Sequence, residues 1–166
     1  MLSPSLSTMR CNLRPVMRTD YADLLELHQN HNVRLFLGGT LTADDFIQKF
    51  ERMLGVQEDL QWAVRLKKTE EFVGLFSLDK HHEGCDIELS YQLAENMQKK
   101  GFALEINKCL IDFAFEELSL TRLVAETQTA NIASVRLLGK LGMTLERTAN
   151  RFGAQQSIFA IYNASL

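Results

Sequence analysis

The sequence predicts an α/β fold built on one mixed sheet, and three observations predict it. Strand-like and helix-like stretches follow one another in the order β-α-α-β-β-β-α-β-α-β-β. A helical pattern separates the strand at 87–93 from the strand at 122–127, so this pair reads as parallel, a right-handed βαβ unit. The stretch Ile87 to Ala103, IELSYQLAENMQKKGFA, carries an apolar strand through a polar loop into an amphipathic helix opened by Gly101. The first turn of a helix has unpaired N–H groups and a positive dipole end, so this junction is a ready anion site.

Each element has its own warrant. The first nine residues read as a loose tail. Arg10 to Val16 reads as a short strand that Pro15 confines to an edge or an end. Asp20 is placed to cap a helix with Tyr21, Leu24, Leu25 and His28 on one face. Gly38-Gly39 breaks the chain. Thr42 then opens a second helix, with Asp45 as a short-armed capping box and Phe46, Ile47, Phe50, Met53 and Leu54 as its apolar face. Both helices are expected across one side of the sheet. Gln61–Leu66 and Glu71–Leu78 read as strands joined by the polar turn at 67–70, and Lys80–Gly84 as a second turn. After the strand Ile87–Leu93 comes a helix from about Gly101 to Leu118, with Phe102, Ile106, Cys109, Leu110 and Phe113 at helical spacing. The strand Arg122–Thr127 follows. Asn131 then starts a shorter helix with Ser134, Leu137, Leu138 and Leu141 on one face, ended by Gly142. Two strands, about Thr144–Asn150 and Ser157–Tyr162, turn at Gly153.

Composition narrows the partners. A chain of 166 residues, 46% hydrophobic and 23% charged, is long enough to bury a core and reads as one domain over 1–166. The net charge of −3 gives no basic field for nucleic acid and mildly favours a cationic substrate. Three cysteines, Cys11, Cys85 and Cys109, suggest neither a disulfide framework nor a metal site. No run of about 18 apolar residues is present, which argues against a membrane span and for the cytoplasm. His28, His31, His81 and His82 lack metal-ligand spacing and read as surface residues. Cys109 reads as core. Trp62, Phe36 and Phe152 either line a substrate pocket or pack.

Gln98-x-x-Gly101-x-Ala103 resembles the Q/R-x-x-G-x-G/A signature of the GNAT superfamily of acetyl-CoA-dependent N-acetyltransferases. Asn131-x-x-Ser134-Val135-Arg136-Leu137-Leu138-x-Lys140-Leu141-Gly142-Met143 is similar to the N-x-x-S-x-R-x-L-x-K-L-G-F segment of the same family. The element order matches too, so the resemblance covers nearly the whole chain. Leu13-Arg14-Pro15 and Leu35-Phe36-Leu37-Gly38-Gly39 resemble, more loosely, the subfamily of ribosomal-protein alanine and serine N-acetyltransferases. The resemblance implies a mostly antiparallel sheet with helices on both faces and one parallel strand pair splayed apart, with the pantetheine arm of acetyl-CoA in the gap. It places the pyrophosphate on Gln98, Lys99, Lys100, Gly101, Phe102, Ala103 and Leu104. It places the arm along the backbone of Gln92 and Leu93, and the thiol end near Asn131 and Ser134. Lys99 stands where the family often has glycine.

Transfer of an acetyl group to an amine needs a base for the amine proton, a donor for the thioester oxygen and a proton for the leaving sulfur. Glu88 is the candidate base. It matches a glutamate used as a base in part of the family, and it shares a strand face with Ser90 and Gln92. Pairing with a neighbouring cation, or solvation at a strand end, is the competing reading. A backbone N–H near Leu93 is the candidate oxyanion donor. Many family members carry a tyrosine acid where this chain has Leu138, and a serine matching Ser134 has been cast in that role. Ser134 is therefore the candidate acid, with cofactor contact or helix packing as the alternative. Ser157 stands where the family has an acidic residue.

The expected function is an N-acetyltransferase that uses acetyl-CoA and no metal, transferring directly in a ternary complex. The acceptor is a primary amine, either a protein N-terminus or a small amine, and the protein is a monomer or homodimer. A non-catalytic acyl-CoA-binding module of the same fold is the alternative, fed by Leu138 and Lys99. A nucleotide-binding domain is disfavoured, because neither G-x-x-x-x-G-K-S/T nor G-x-G-x-x-G occurs.

Overall fold

The computed structural model describes residues 3–55 and 59–164. Among the described residues, eight strands form one sheet in the order β1-β2-β3-β4-β5-β6-β8-β7: β1 Leu6–Ser7, β2 Cys11–Pro15, β3 Leu60–Leu66, β4 Phe72–Lys80, β5 Ile87–Leu93, β6 Arg122–Gln128, β7 Thr144–Arg151 and β8 Ala154–Tyr162. Every neighbouring pair is antiparallel except β5 and β6, which are parallel. The helices are α1 Tyr21–Gln29, α2 His31–Arg34, α3 Ala43–Leu54, α4 Phe102–Glu116 and α5 Ile132–Lys140. This is the expected mixed sheet with its one parallel pair.

Two cores lie on opposite faces of the sheet. On one, Leu24, Leu27, Phe46, Phe50 and Met53 of α1 and α3 pack on Ala63, Phe72 and Leu75. On the other, Phe102, Ile106, Leu110 and Ala114 of α4 and Leu138 of α5 pack on Trp62, Val64, Phe76, Leu89 and Leu123. Successive strand residues point to opposite faces, so β3 and β4 contribute to both cores, whereas the apolar residues of β5 join only the α4–α5 core.

Several expectations need correction. Residues 3–9 are not a loose tail. Leu6–Ser7 pairs with β2, Ser3 Oγ accepts the Gln61 N–H at 2.8 Å, and the Trp62 indole donates to Pro4 O at 2.7 Å. The Ser3 and Pro4 contacts reach β3, 58 residues away, which local pattern cannot show; Met1 and Leu2 lie outside the described residues. Asp20 does not cap α1 with its side chain. Its buried carboxylate instead pairs with Arg14 at 3.0 Å and Arg65 at 2.9 Å and accepts the Met17 N–H. A buried charge needs such partners more than the helix end needs a cap. Thr42 does cap α3, accepting the Asp45 N–H at 3.1 Å. Ile47 of the proposed α3 face is exposed. Trp62 is buried in the core, and Phe152 stands exposed at the β7–β8 turn.

Gly74 sets the spacing at the end of β5. A Cβ there would lie 2.3 Å from Gln92 O and 3.1 Å from Leu93 Cα. Only glycine lets β4 approach β5 this closely at the point where β5 leaves the sheet.

Candidate active site

β5 and β6 share a single register pair, Glu88 with Val124, and part beyond it. Parting strands leave backbone N–H groups without ladder partners, and such groups must be satisfied otherwise. One is capped by the sequence itself, since Glu88 Oε1 accepts the Glu126 N–H at 3.3 Å. On the β5 side, the Ala94 N–H is bonded to Val73 O, and the strand register is unbroken. Antiparallel alternation then turns the N–H and C=O of Leu93 and Tyr91 away from β4 and into the gap. Gln92 O faces Gly74 instead, and the Gln92 side chain accepts from Arg34 at 3.1 Å. The gap is therefore lined by the backbone of Tyr91 and Leu93 rather than of Gln92.

The loop after β5 forms a tight cradle. A single 3₁₀ turn at Glu95–Met97 leads to Gln98, whose amide donates to Leu93 O at 3.3 Å and ties the loop to the strand end. Lys99 (φ 60°) and Gly101 (φ 82°) are both left-handed, the alternation that turns successive N–H groups inward to form an anion nest. Phe102, Ala103 and Leu104 follow as the first turn of α4, with Lys99 and Lys100 exposed beside them. Glu105 would oppose an anion at this helix start, but it is neutralised. Its carboxylate accepts from Thr8 at 2.6 Å and from Arg10 N at 2.8 Å and Nε at 2.6 Å. Burial would raise the Glu105 pKa, yet these bonds hold it lowered. The Arg10 guanidinium also lies 4.1 Å over the Phe102 ring and donates to Lys100 O. Arg10 thereby offsets the Glu105 charge beside the cradle, and no local signal marks it, because it is about 90 residues away in sequence.

At the facing edge, Asn131 caps α5 with its carboxamide oxygen, which accepts the Ser134 N–H at 3.2 Å. Ser134 Oγ is hydrogen-bonded to Tyr91 Oη at 2.7 Å. Leu138 is buried, and Ser157 bonds Thr129 at 2.7 Å inside the sheet.

The opposite face of β5 is acidic. Asp79 of β4 stands directly across from Glu88 in the antiparallel register. Burial pushes Glu88 up to about 7 and Asp79 up to about 6; the Asp79 charge adds to the rise at Glu88, and the Asp59 charge adds to the rise at Asp79. Lys49 of α3, its pKa lowered by burial, faces Asp79. Arg34 of α2 is buried and holds the Leu37 and Gly39 carbonyls, which places the α2–α3 loop beside Gln92. On β6, Glu126 is gripped by Arg151 and accepts from His81 Nε2 at 2.9 Å. Burial alone would lower the His81 pKa, but the bond to Glu126 leaves it raised.

The histidines divide. His28 and His81 are buried, contrary to the surface reading, whereas His31 is exposed. The His28 Nδ1–H donates to Leu24 O, and burial pushes its pKa down to about 4, so it is a neutral core residue. The ligand atoms of His81, His82 and Glu126 lie within 4.8 Å of one another, a grouping the sequence separates by 44 residues; Arg151 already occupies both Glu126 oxygens. Cys109 is half-buried rather than core, and burial raises its thiol pKa.

Residues 10–144 match the acetyltransferase (GNAT) domain family. The chain belongs to the GNAT acetyltransferases. It is 26% identical over 158 residues to an uncharacterised N-acetyltransferase, YoaA, of Bacillus subtilis, covering 90% of this chain and 88% of that protein. Among solved structures, a spermidine N-acetyltransferase of Vibrio cholerae in complex with CoA and spermine superposes with a TM-score of 0.78 at 18% identity, covering 92% of this chain and 95% of the other. A ribosomal-protein-serine acetyltransferase-like protein of the same organism superposes with a TM-score of 0.77 at 23% identity, covering 96% and 98%. The enzyme is thus an acetyl-CoA-dependent acetyltransferase. No helix among the described residues is long and apolar enough to cross a membrane.

Proposed function

We propose that this enzyme transfers the acetyl group of acetyl-CoA to a primary amine by direct attack in a ternary complex, with Glu88 as the base. The observation that carries the reading is the position of Glu88. Its carboxyl stands where β5 and β6 part, opposite Asp79, with its pKa raised to about 7 by burial. A base with a pKa near 7 takes a proton effectively at neutral pH.

The cradle at 98–104 presents inward N–H groups and two exposed lysines, and a Cβ at Gly101 would come within 3.4 Å of the Arg10 guanidinium. Bound there, acetyl-CoA supplies an acetyl carbonyl joined to a sulfur leaving group. The Tyr91 and Leu93 backbone pairs with the amides of the pantetheine arm, as a strand edge pairs with a peptide. The Leu93 N–H, turned into the gap, donates to the carbonyl oxygen as charge develops on it. Asn131 orients the first turn of α5, and Ser134 faces the leaving group.

Glu88 and Asp79 present a carboxylate-rich face to the incoming ammonium, which suits a cationic acceptor. Both acceptor classes, a protein N-terminus and a small amine such as a polyamine, meet this requirement, and each has a fold relative that bears its name. The protein acts as one catalytic domain over 1–166.

The experiment combines two measurements. Acetyl-CoA at a hundredfold excess over its dissociation constant should raise stability by about 2.7 kcal/mol, where ATP and NAD give no rise. Thiol release is then followed with spermidine and with peptides bearing N-terminal alanine or serine. Binding without transfer to any amine would favour the non-catalytic acyl-CoA module, and absence of binding would remove the cradle assignment.

A further inference from the structure

We infer that Tyr91 and Ser134 form a hydroxyl pair that delivers a proton to the leaving sulfur, Ser134 as the contacting donor and Tyr91 as the residue that positions and recharges it. The inference rests on the acetyl-transfer reading above. It names the acid side of a reaction whose base side is Glu88.

The geometry separates the two tasks. Residues 88 and 91 are three apart on one strand, so their side chains leave opposite faces of the sheet. Glu88 lies on the face of α1 and α3, beside Asp79 and His81, whereas Tyr91 packs with the α4–α5 core. The space between β5 and β6 connects the two faces. An amine deprotonated on the Glu88 side therefore meets a thioester whose sulfur leaves toward Ser134 and Tyr91.

The pair is held in place independently at both ends. The Tyr91 ring stacks on Phe76, with centroids 6.2 Å apart and planes at 24°. Ser134 is fixed at the helix start by its N–H to Asn131. The hydroxyls meet at 2.7 Å and bridge from β5 to α5, and Leu138, one turn further on, offers only buried hydrocarbon. A lone serine hydroxyl is a poor proton source, but a serine backed by a phenol can pass one on and be refilled. Burial raises the Tyr91 pKa and keeps the phenol protonated at neutral pH.

The step balances. The ammonium loses two protons by way of Glu88, the C–N bond forms and the C–S bond breaks. The sulfur takes the Ser134 Oγ proton as Ser134 takes the Tyr91 Oη proton, and Tyr91 regains one from water. One proton is released overall, with no oxidant or reductant.

Tyr91→Phe keeps the ring on Phe76 and removes only the hydroxyl, and the test compares it with Ser134→Ala and the double variant. Each single change should lower kcat by roughly tenfold or more, with KM for acetyl-CoA and the unfolding temperature nearly unchanged. The double variant should lose no more than the worse single, because the two act as a unit. Titration of bound CoA by thiolate absorbance supplies a readout free of turnover. The pair bonds the thiolate, so the thiol pKa should rise in both single variants. An unchanged thiol pKa and kcat in Tyr91→Phe, or fully additive losses, would overturn the inference while leaving acetyl transfer intact. Failure of the wild-type enzyme to bind CoA would overturn both.

Discussion

The two mouths of the gap between β5 and β6 are built differently. The proposed cofactor mouth is almost contiguous in sequence. Residues 91–104 supply the strand edge, the tied loop and the helix start, and residues 131–134 close the far side. The proposed acceptor mouth gathers single residues from five elements: Arg34 from α2, Lys49 from α3, Asp79 from β4, Glu88 from β5 and Glu126 from β6. A contiguous site is specified by local backbone conformation, and side-chain changes around it are tolerated. A gathered site is specified by charge balance, so one substitution retunes its neighbours. Phosphate and pantetheine are constant features of one co-substrate, while the acceptor is what distinguishes one such enzyme from another.

The sharpest way to break this contrast is Gly101→Glu. Gly101 holds φ 82°, a Cβ would approach Arg10, and a carboxylate would face the bound phosphates. The dissociation constant for acetyl-CoA, measured by calorimetry, should rise by more than about a hundredfold, equivalent to about 2.7 kcal/mol. Unchanged affinity would show that the loop is only a helix start.

The acceptor mouth should respond through pH instead. Glu88→Gln should lower kcat/KM by roughly a hundredfold and leave acetyl-CoA affinity in place. In the wild-type enzyme, kcat/KM should rise with pH through about 7, as Glu88 loses its proton. Asp79→Asn is the finer probe. After burial, Asp79 is among the groups that raise Glu88, whereas His81 and the Glu126 N–H lower it. Removing the Asp79 charge therefore favours ionised Glu88 and shifts the rising limb toward lower pH. At high pH the rate should fall slightly, because the base is weaker. A limb that does not move would confine Asp79 to a structural part. The sign for stability is the reverse of that for activity. A carboxyl whose folded pKa is raised contributes stability below its unfolded pKa and loses it as pH rises through the folded value. Asp79→Asn should thus be better tolerated at pH 8 than at pH 4.

The same contrast separates what the sequence carries from what only the fold assembles. The strand, loop and helix around Gly101 have periodic apolar residues and one glycine at a conformational junction, so these elements are legible in the sequence, whereas the alternation that turns Tyr91 and Leu93 rather than Gln92 into the gap depends on the register of β4 against β5. Glu88 stands out in the sequence as a candidate because a carboxylate on a central strand is costly. Asp79 was read only as the residue after a strand, since facing Glu88 depends on the register of β4 against β5. Arg10 and Thr8 fell within or beside an apparent tail, because their partner Glu105 is about 95 residues away. His81 looked like a turn residue, and only the fold brings Glu126 to it. By alternation Tyr91 falls on the strand face opposite Glu88, Ser90 and Gln92, while its hydroxyl bond to Ser134 spans 43 residues and has no periodic trace.

Lys99 offers the smallest and most discriminating change. Its φ of 60° costs about 1 kcal/mol or more in a residue with a Cβ, whereas glycine loses more chain entropy on folding. Lys99→Gly should accordingly gain roughly 0.5 kcal/mol, a rise of about 1–2 °C in Tm. The same change removes a cation beside the cradle, so acetyl-CoA affinity should fall at low ionic strength and converge with wild type as salt screens the charge. A gain in Tm with no salt-dependent loss of affinity would mean that the Lys99 side chain is a solvated bystander. The cradle would then hold phosphate by its backbone, the helix start and the remaining lysine, Lys100. A loss of Tm would mean instead that the Lys99 stem packs on the loop strongly enough to outweigh its backbone strain. The lysine would then be part of what gives the contiguous mouth its shape, and the contrast with the gathered acceptor mouth would narrow.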